Sequence, residues 1–151
     1  MLSVDFENFL LRAKKNTYAS GMPPNASSRP GAHDLVFREH PFLYIDSYLG
    51  GFYFIGEEAV WLDNVNIWGM NYYGKMLAAE TPAGFNQFLK TALLLVPSEA
   101  PFRGPAEIIS ADFHYLCAST GDLYRFEGRE EIHYRGALIY ELVFHGGEIR
   151  D

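Results

Sequence analysis

The chain has 151 residues, 48% of them hydrophobic and 21% charged, a balance that supports one ordinary core, is too short for two, and excludes a disordered or fibrous chain. Twelve Lys and Arg against 19 Asp and Glu leave a net charge of -7, which argues against direct binding to nucleic acid or to anionic membranes. Twelve Phe, ten Tyr and two Trp stand beside 30 Leu, Ile and Val, so the interior must be built largely from flat side chains, many carrying a polar handle.

Ser3 is placed to cap a helix over residues 3–15, with Asp5 and Glu7 in its first turn and Lys14-Lys15 in its last. Phe6, Phe9, Leu10 and Ala13 fall on its apolar face. Residues 16–40 carry Gly21, Pro23-Pro24, Asn25, Ser27-Ser28 and Pro30-Gly31 and read as an irregular segment. Tyr18, Met22, Leu35, Val36 and Phe37 are too apolar for a solvated tail, so the segment is expected to be ordered and to lie across the sheet as a lid, anchored by Tyr18, Met22 and Phe37.

Three strands follow from alternation, Phe42 to Tyr48, Phe52 to Leu62 and Asn66 to Tyr73, with turns at Gly50-Gly51 and Asp63-Asn64. In the second, Phe52, Phe54, Glu58 and Val60 share one side and Tyr53, Ile55, Glu57, Ala59 and Trp61 the other, so one of two adjacent glutamates points inward. Thr81-Pro82 starts a second helix over 81–96, stopped by Pro97. Glu107 to Cys117, Asp122 to Glu127, Glu130 to Tyr134 and Ala137 to His145 read as four more strands, turning at Thr120-Gly121, Gly128 and Gly136. The expectation is a single α+β domain: two helices, 3–15 and 81–96, packed on a curved, mainly antiparallel sheet of about seven strands. The two halves share a crude helix-then-strands pattern without a repeat of fixed period.

The single cysteine, Cys117, can form no internal disulfide, and the first residues lack the basic start and apolar run of a signal peptide; the expected location is the cytoplasm, with no membrane segment. Five histidines occur without metal-ligand spacing, so no metal and no cofactor are expected. Cys117 shares a strand side with Phe113 and Tyr115 and reads as an inert buried thiol. No serine sits in a nucleophile elbow, and no glycine pair opens a helix to hold phosphate.

What remains is a polar set within the strands: Ser110, Asp112 and His114 on one side of the fourth, Glu141 and His145 on one side of the last, and Glu57 or Glu58. On the concave surface of a curved sheet these would converge with Tyr44, Tyr48, Trp68 and Tyr72 in an apolar-walled pocket. The ordinary alternative is the solvated face of a half-buried sheet. Arg103, between Phe102 and Gly104, is either a clamp for a carboxylate or phosphate or a surface loop residue.

The runs Tyr18 to Pro24, Phe42 to Gly51, Gly56 to Trp61 and Ile67 to Gly74, with Pro101 to Pro105, Phe126 to Ile132 and Phe144 to Gly147, resemble a bacterial and archaeal family catalogued only as a domain of unknown function. Some of its members carry the domain behind a helix-turn-helix of the XRE regulator type, which implies a sensing or effector role attached to a DNA-binding head. This chain is expected to lack that head, because its one N-terminal helix leads into a loop. The resemblance brings no established catalytic residues with it.

Three readings follow. The leading one is a small-molecule-binding or sensing domain without catalysis, its pocket lined by Tyr18, Tyr44, Glu57, Trp68, Tyr72, Arg103, His114 and His145. The second is a hydrolase or isomerase with Glu57 or Glu58 as base and His114 or His145 as acid, which requires both on one substrate-sized space. The third is an interaction module that engages a protein partner or forms a homodimer.

Overall fold

In the computed structural model, which describes residues 2–27 and 29–151, Ser3 caps the first helix, α1 (Val4–Asn16), its side-chain oxygen accepting from the Phe6 N–H at 3.2 Å. A single 3-10 turn at Tyr18–Ser20 follows. The strands are β1 (His33–Glu39), β2 (Phe42–Gly50), β3 (Tyr53–Leu62) and β4 (Val65–Met76), then α2 (Phe85–Leu94), then β5 (Glu107–Ser110), β6 (Phe113–Asp122), β7 (Arg125–Tyr134) and β8 (Ala137–Glu148). All pair antiparallel in one 8-stranded sheet of order β1-β2-β3-β4-β8-β7-β6-β5. The fold is α+β, with eight strands where about seven were expected.

The differences have local causes. Residues 33–39 form a strand although the Pro- and Gly-rich stretch before them had suggested an irregular segment; they pair along the whole of β2 as an edge strand. The expected strand from Glu107 to Cys117 is two strands folded on each other about Ala111, whose φ of 51° breaks the extended run. Conversely, Gly128 makes no turn. It lies within β7 because a Cβ there would sit 2.2 Å from the Phe144 ring, so the glycine makes room for an aromatic side chain on the neighbouring strand. The second helix starts later than residue 81, at Phe85, because Gly84 adopts a left-handed φ of 86° and Thr81-Pro82 belongs to the turn before it.

The strand order is two-fold symmetric about the β4–β8 pair, and the registers show a repeat that the sequence reading did not find. Phe54-Ile55-Gly56-Glu57-Glu58 on β3 corresponds to Phe126-Glu127-Gly128-Arg129-Glu130 on β7. In each half the phenylalanine lies opposite a glycine (Gly74, Gly146), the glycine opposite an aromatic residue (Tyr72, Phe144), and the glutamate opposite an aliphatic one (Met70, Leu142). Register shifts occur at Val60/Trp61 and at Ile132/His133, again matching positions. The hairpin turns Asp63-Asn64 and Arg135-Gly136 both have positive φ at each residue, the geometry of tight hairpins that follow strand twist. Helix lengths and loops differ between the halves, which hides the repeat from a search for a fixed period.

Both helices pack on the same face of the sheet, in one core with Trp68, Tyr44, Tyr115, Tyr140 and the phenylalanines. Phe102 stacks on Phe126 at 3.9 Å between ring centres, and Phe126 stacks in turn on Trp68 at 5.6 Å. The aromatic excess is therefore structural in the first place. Phe37 anchors β1 against Phe9 at 5.7 Å, so the second half of the expected lid is an edge strand, while its first half, through Tyr18, reaches the inner face. Among the described residues no helix is long and apolar enough to cross a membrane.

Candidate functional site

Alternation on β2, β3 and β7 places three carboxylates on the inner, helix-covered face: Asp46, Glu58 and Glu130, none more than 5% exposed. Two cations are buried with them, Lys14 from α1 and Arg103 from the loop before β5. Glu130 is fully engaged: Arg103 donates to its two oxygens from Nε at 3.0 Å and Nη2 at 2.8 Å, Tyr115 donates at 2.6 Å, and Tyr140 at 2.9 Å. Planar guanidinium and carboxylate match in such a fork. Glu58 is closed by Lys14, whose ammonium also donates to the Phe102 carbonyl at 2.8 Å. Burial pushes the Lys14 ammonium below its ordinary range, partly offset by Glu58.

Asp46 has no such partner among the described residues. The Tyr72 hydroxyl donates to its Oδ1 at 2.6 Å, and no salt bridge reaches it. Burial first, and then the charge of Glu58, push its carboxyl up to about 7, against the opposing influence of the Tyr72 hydrogen bond, Lys14 and Arg103.

Asp46 lies on the wall of a cavity of about 330 Å³ between α2, the Tyr18–Ser20 turn and residues of β1, β2, β3, β4 and β8. Tyr18, Tyr48, Phe52, Phe54, Tyr72, Phe85 and Tyr140 supply its rings, and His33, Asp46, Thr81, Asn86 and Arg103 its polar groups. Tyr18 is held at the edge by Tyr48, edge to face at 6.2 Å, and by Lys90 of α2 over its ring at 5.6 Å. Size, aromatic walls and a few convergent polar groups are the attributes of a small-molecule site.

Of the residues singled out from the sequence, Tyr18, Tyr72 and Arg103 line this cavity, and Tyr44 lies beside it against Lys14, Asp46 and Glu58 in a small adjoining cleft. Trp68 does not reach it. Its ring is wholly buried and its indole N–H donates to the Leu123 carbonyl at 3.1 Å, a core role. Glu57, His114 and His145 fall on the opposite face of the sheet, Glu57 and His145 exposed and flanking Asn71 on β4, and His114 paired with Glu107 at 2.7 Å. Glu58, not Glu57, is the inward glutamate. An acid–base pair between either glutamate and these histidines therefore lacks the shared space it needs: Glu58 is on the other face, and Glu57 stands two strands from His145 on an open surface. Arg103 is buried rather than a surface loop residue, but both arms of its fork are taken by Glu130.

Lys14, Asp46 and Glu130 did not stand out in the sequence. Lys14 reads as a charge complementing the helix terminus, and Glu130 as one of several acidic residues in a polar strand. The available signal was parity, since Asp46 alternates with Tyr44 and Tyr48 on one side of β2, and Glu130 with Phe126 and Ile132 on one side of β7. Among the described residues no group of three His, Cys, Asp or Glu is arranged to hold a metal ion.

Residues 46–149, which run from Asp46 within β2 to just past the end of β8, match a family model described as Domain of unknown function (DUF5680). No curated protein matches the chain. No solved structure matches it either.

Proposed function

The chain belongs to the DUF5680 family, a domain of unknown function, and within that family we propose that it is a small-molecule-binding module with a sensing role. One observation carries this reading: a cavity of about 330 Å³, walled by aromatic side chains and ending on buried polar groups, is open beneath Tyr18 and α2. A ligand there would touch the Tyr18–Ser20 turn, α2 and several strands of the sheet together, so occupancy would be felt as a tighter junction between the helical layer and the sheet. That coupling suits the effector part of a transcriptional regulator, with DNA contact left to another segment or partner. A thermal-shift screen of small cationic, neutral and anionic ring compounds tests the reading. By linkage, a compound at 100 times its dissociation constant stabilises the fold by about 2.7 kcal/mol, a rise of roughly 5–10 °C for a domain of this size. A melting temperature unmoved by every class would overturn it.

A second reading, self-association, rests on the uncovered face of the sheet. Ile55, Tyr73 and Val143 are 55%, 44% and 51% exposed and lie side by side on β3, β4 and β8, a small apolar row of the kind that marks contact surfaces. Light scattering at tens of micromolar tests it: a dimer converted to monomer by Val143→Glu supports it, and a monomeric wild-type chain removes it.

A further inference from the structure

The two halves of the sheet bury a glutamate at the same place. Glu58 and Glu130 stand at matching positions on β3 and β7, and each is closed by its own cation, Lys14 from α1 and Arg103 from the loop before β5. The β2 residue opposite Glu58 is Asp46, and the β6 residue opposite Glu130 is Cys117. The second half is thus built without a carboxylate at this place. Asp46 adds a third negative charge to a buried set with two positive ones, and among the described residues its carboxylate takes its side-chain hydrogen bond from a neutral phenol.

A buried carboxylate without a counter-charge is unfavourable, and either a proton or a bound cation relieves it. Around Asp46 the cavity presents the rings of Tyr48, Phe54 and Phe85, whose faces attract cations, as the Tyr18 face already holds the Lys90 ammonium. We propose that the ligand of this cavity is an organic cation, a protonated amine on a one- or two-ring apolar body, with its ammonium N–H donating to Asp46 and its rings against the aromatic walls.

The proposal rests on the reading of this cavity as a binding site and adds the charge class of its occupant. An anion would meet the surplus negative charge and would find Arg103 already committed to Glu130. A divalent metal would find a single free carboxylate among rings, too few oxygens for its coordination. Asp46 is faced by Tyr44 and Tyr48 on its own strand, Glu58 on β3, Tyr72 on β4, Lys14 on α1, Tyr18 in the 3-10 turn and Arg103 in the loop, with His33 of β1 on the same cavity wall; burial first, and then Glu58, push its carboxyl up to about 7 against Tyr72, Lys14 and Arg103. Near neutrality the empty site therefore carries a proton on part of the molecules, and the ammonium releases it on binding.

The experiment compares 2-phenylethylamine and tryptamine with neutral 2-phenylethanol and anionic phenylacetate, by thermal shift and by calorimetry at pH 6.5 in buffers of different ionisation enthalpy. Expected are binding of the amines at least tenfold tighter than of the alcohol, proton release on amine binding, and loss of that preference in Asp46→Asn and in Asp46→Cys, which copies the second half. Amines that bind no better than the alcohol, or a preference that survives both variants, would overturn the proposal. If the alcohol or phenylacetate binds and the amines do not, the cavity remains a binding site and the inference alone fails. If no probe of any charge binds, both fail. The wild-type comparison and the proton count need no variant, so they decide the matter even if the substitutions unfold the chain.

Discussion

Asp46 and Cys117 hold the same place in the two halves of the sheet, each on the inner face and each directly opposite the glutamate of the neighbouring strand, Glu58 or Glu130. Their chemistry differs as their surroundings require. Burial raises the pKa of both groups, which keeps the thiol protonated and inert and makes ionisation of the Asp46 carboxyl beside the cavity costly.

Stability should record that charge. Asp46 is protonated in both folded and unfolded chains below about pH 4. Between about 4 and 7 only the folded chain, with its carboxyl pushed up to about 7, keeps the proton, so the contribution to stability falls as pH rises. Above 7 the loss is complete, at most about 4 kcal/mol. Urea titrations should find Asp46→Asn more stable than wild type at pH 8, with the difference shrinking towards pH 4. A difference that does not vary with pH would show that Asp46 is ionised throughout.

Glu130 is the most heavily bonded carboxylate of the interior, and Glu130→Gln leaves the Arg103 guanidinium buried beside an uncharged amide. A loss of about 3–5 kcal/mol is expected, seen as a melting temperature lower by roughly 10 °C. The double change Arg103→Met with Glu130→Leu should cost less than Glu130→Gln alone, because it removes the stranded charge as well as the pair. Equal losses would mean that the phenols of Tyr115 and Tyr140, rather than the ion pair, dominate the site.

Gly74 tests the packing of rings over glycines. A Cβ there would lie 2.4 Å from Phe54 Cζ, and its three nearest atoms all belong to that ring. Gly74→Ala should destabilise by about 1–3 kcal/mol, and Phe54→Leu in the same chain should return part of the loss. If the double variant is worse than the sum of the singles, the glycine is needed for the backbone rather than for the ring.

The Cys117 thiol, pushed up to about 11 by burial and then by the charge of Glu130, should react with iodoacetamide at pH 8 about a hundredfold more slowly in the native chain than in guanidinium, in proportion to its smaller thiolate fraction. Glu130→Gln should narrow that gap. A native rate equal to the denatured one would place the thiol in solvent.

Local signals legible in the chain settled a good part of the architecture. Ser3 with Asp5 and Lys14-Lys15 marks a helix and its ends. The β-branched and aromatic alternation from Phe42 onwards marks strands, and Gly50-Gly51, Asp63-Asn64 and Gly136 mark turns where positive φ is required. Each of these depends on residues within one turn or one strand of each other. Glycine misled where its role was tertiary: Gly128 reads as punctuation along the chain, but it is space for Phe144 across the sheet.

The site itself belongs to the tertiary structure. Nothing in the neighbourhood of Lys14 along the chain distinguishes it from Lys15, and only the packing of α1 on the inner face of the sheet turns one of them into the counter-ion of Glu58. Arg103 is a loop residue until Glu130, Tyr115 and Tyr140 close around it. Of the adjacent pair Glu57 and Glu58, parity alone says that one is inward; register against Asp46 and Met70 decides that it is Glu58. The amino-acid sequence by itself determined that the chain would bury aromatic side chains between helices and an antiparallel sheet, because hydrophobic periodicity and turn chemistry act over a few residues. Which charges would meet in that interior, and that Asp46 would face a cavity with a phenol rather than a cation of its own, was decided only when strands distant in the chain came into register.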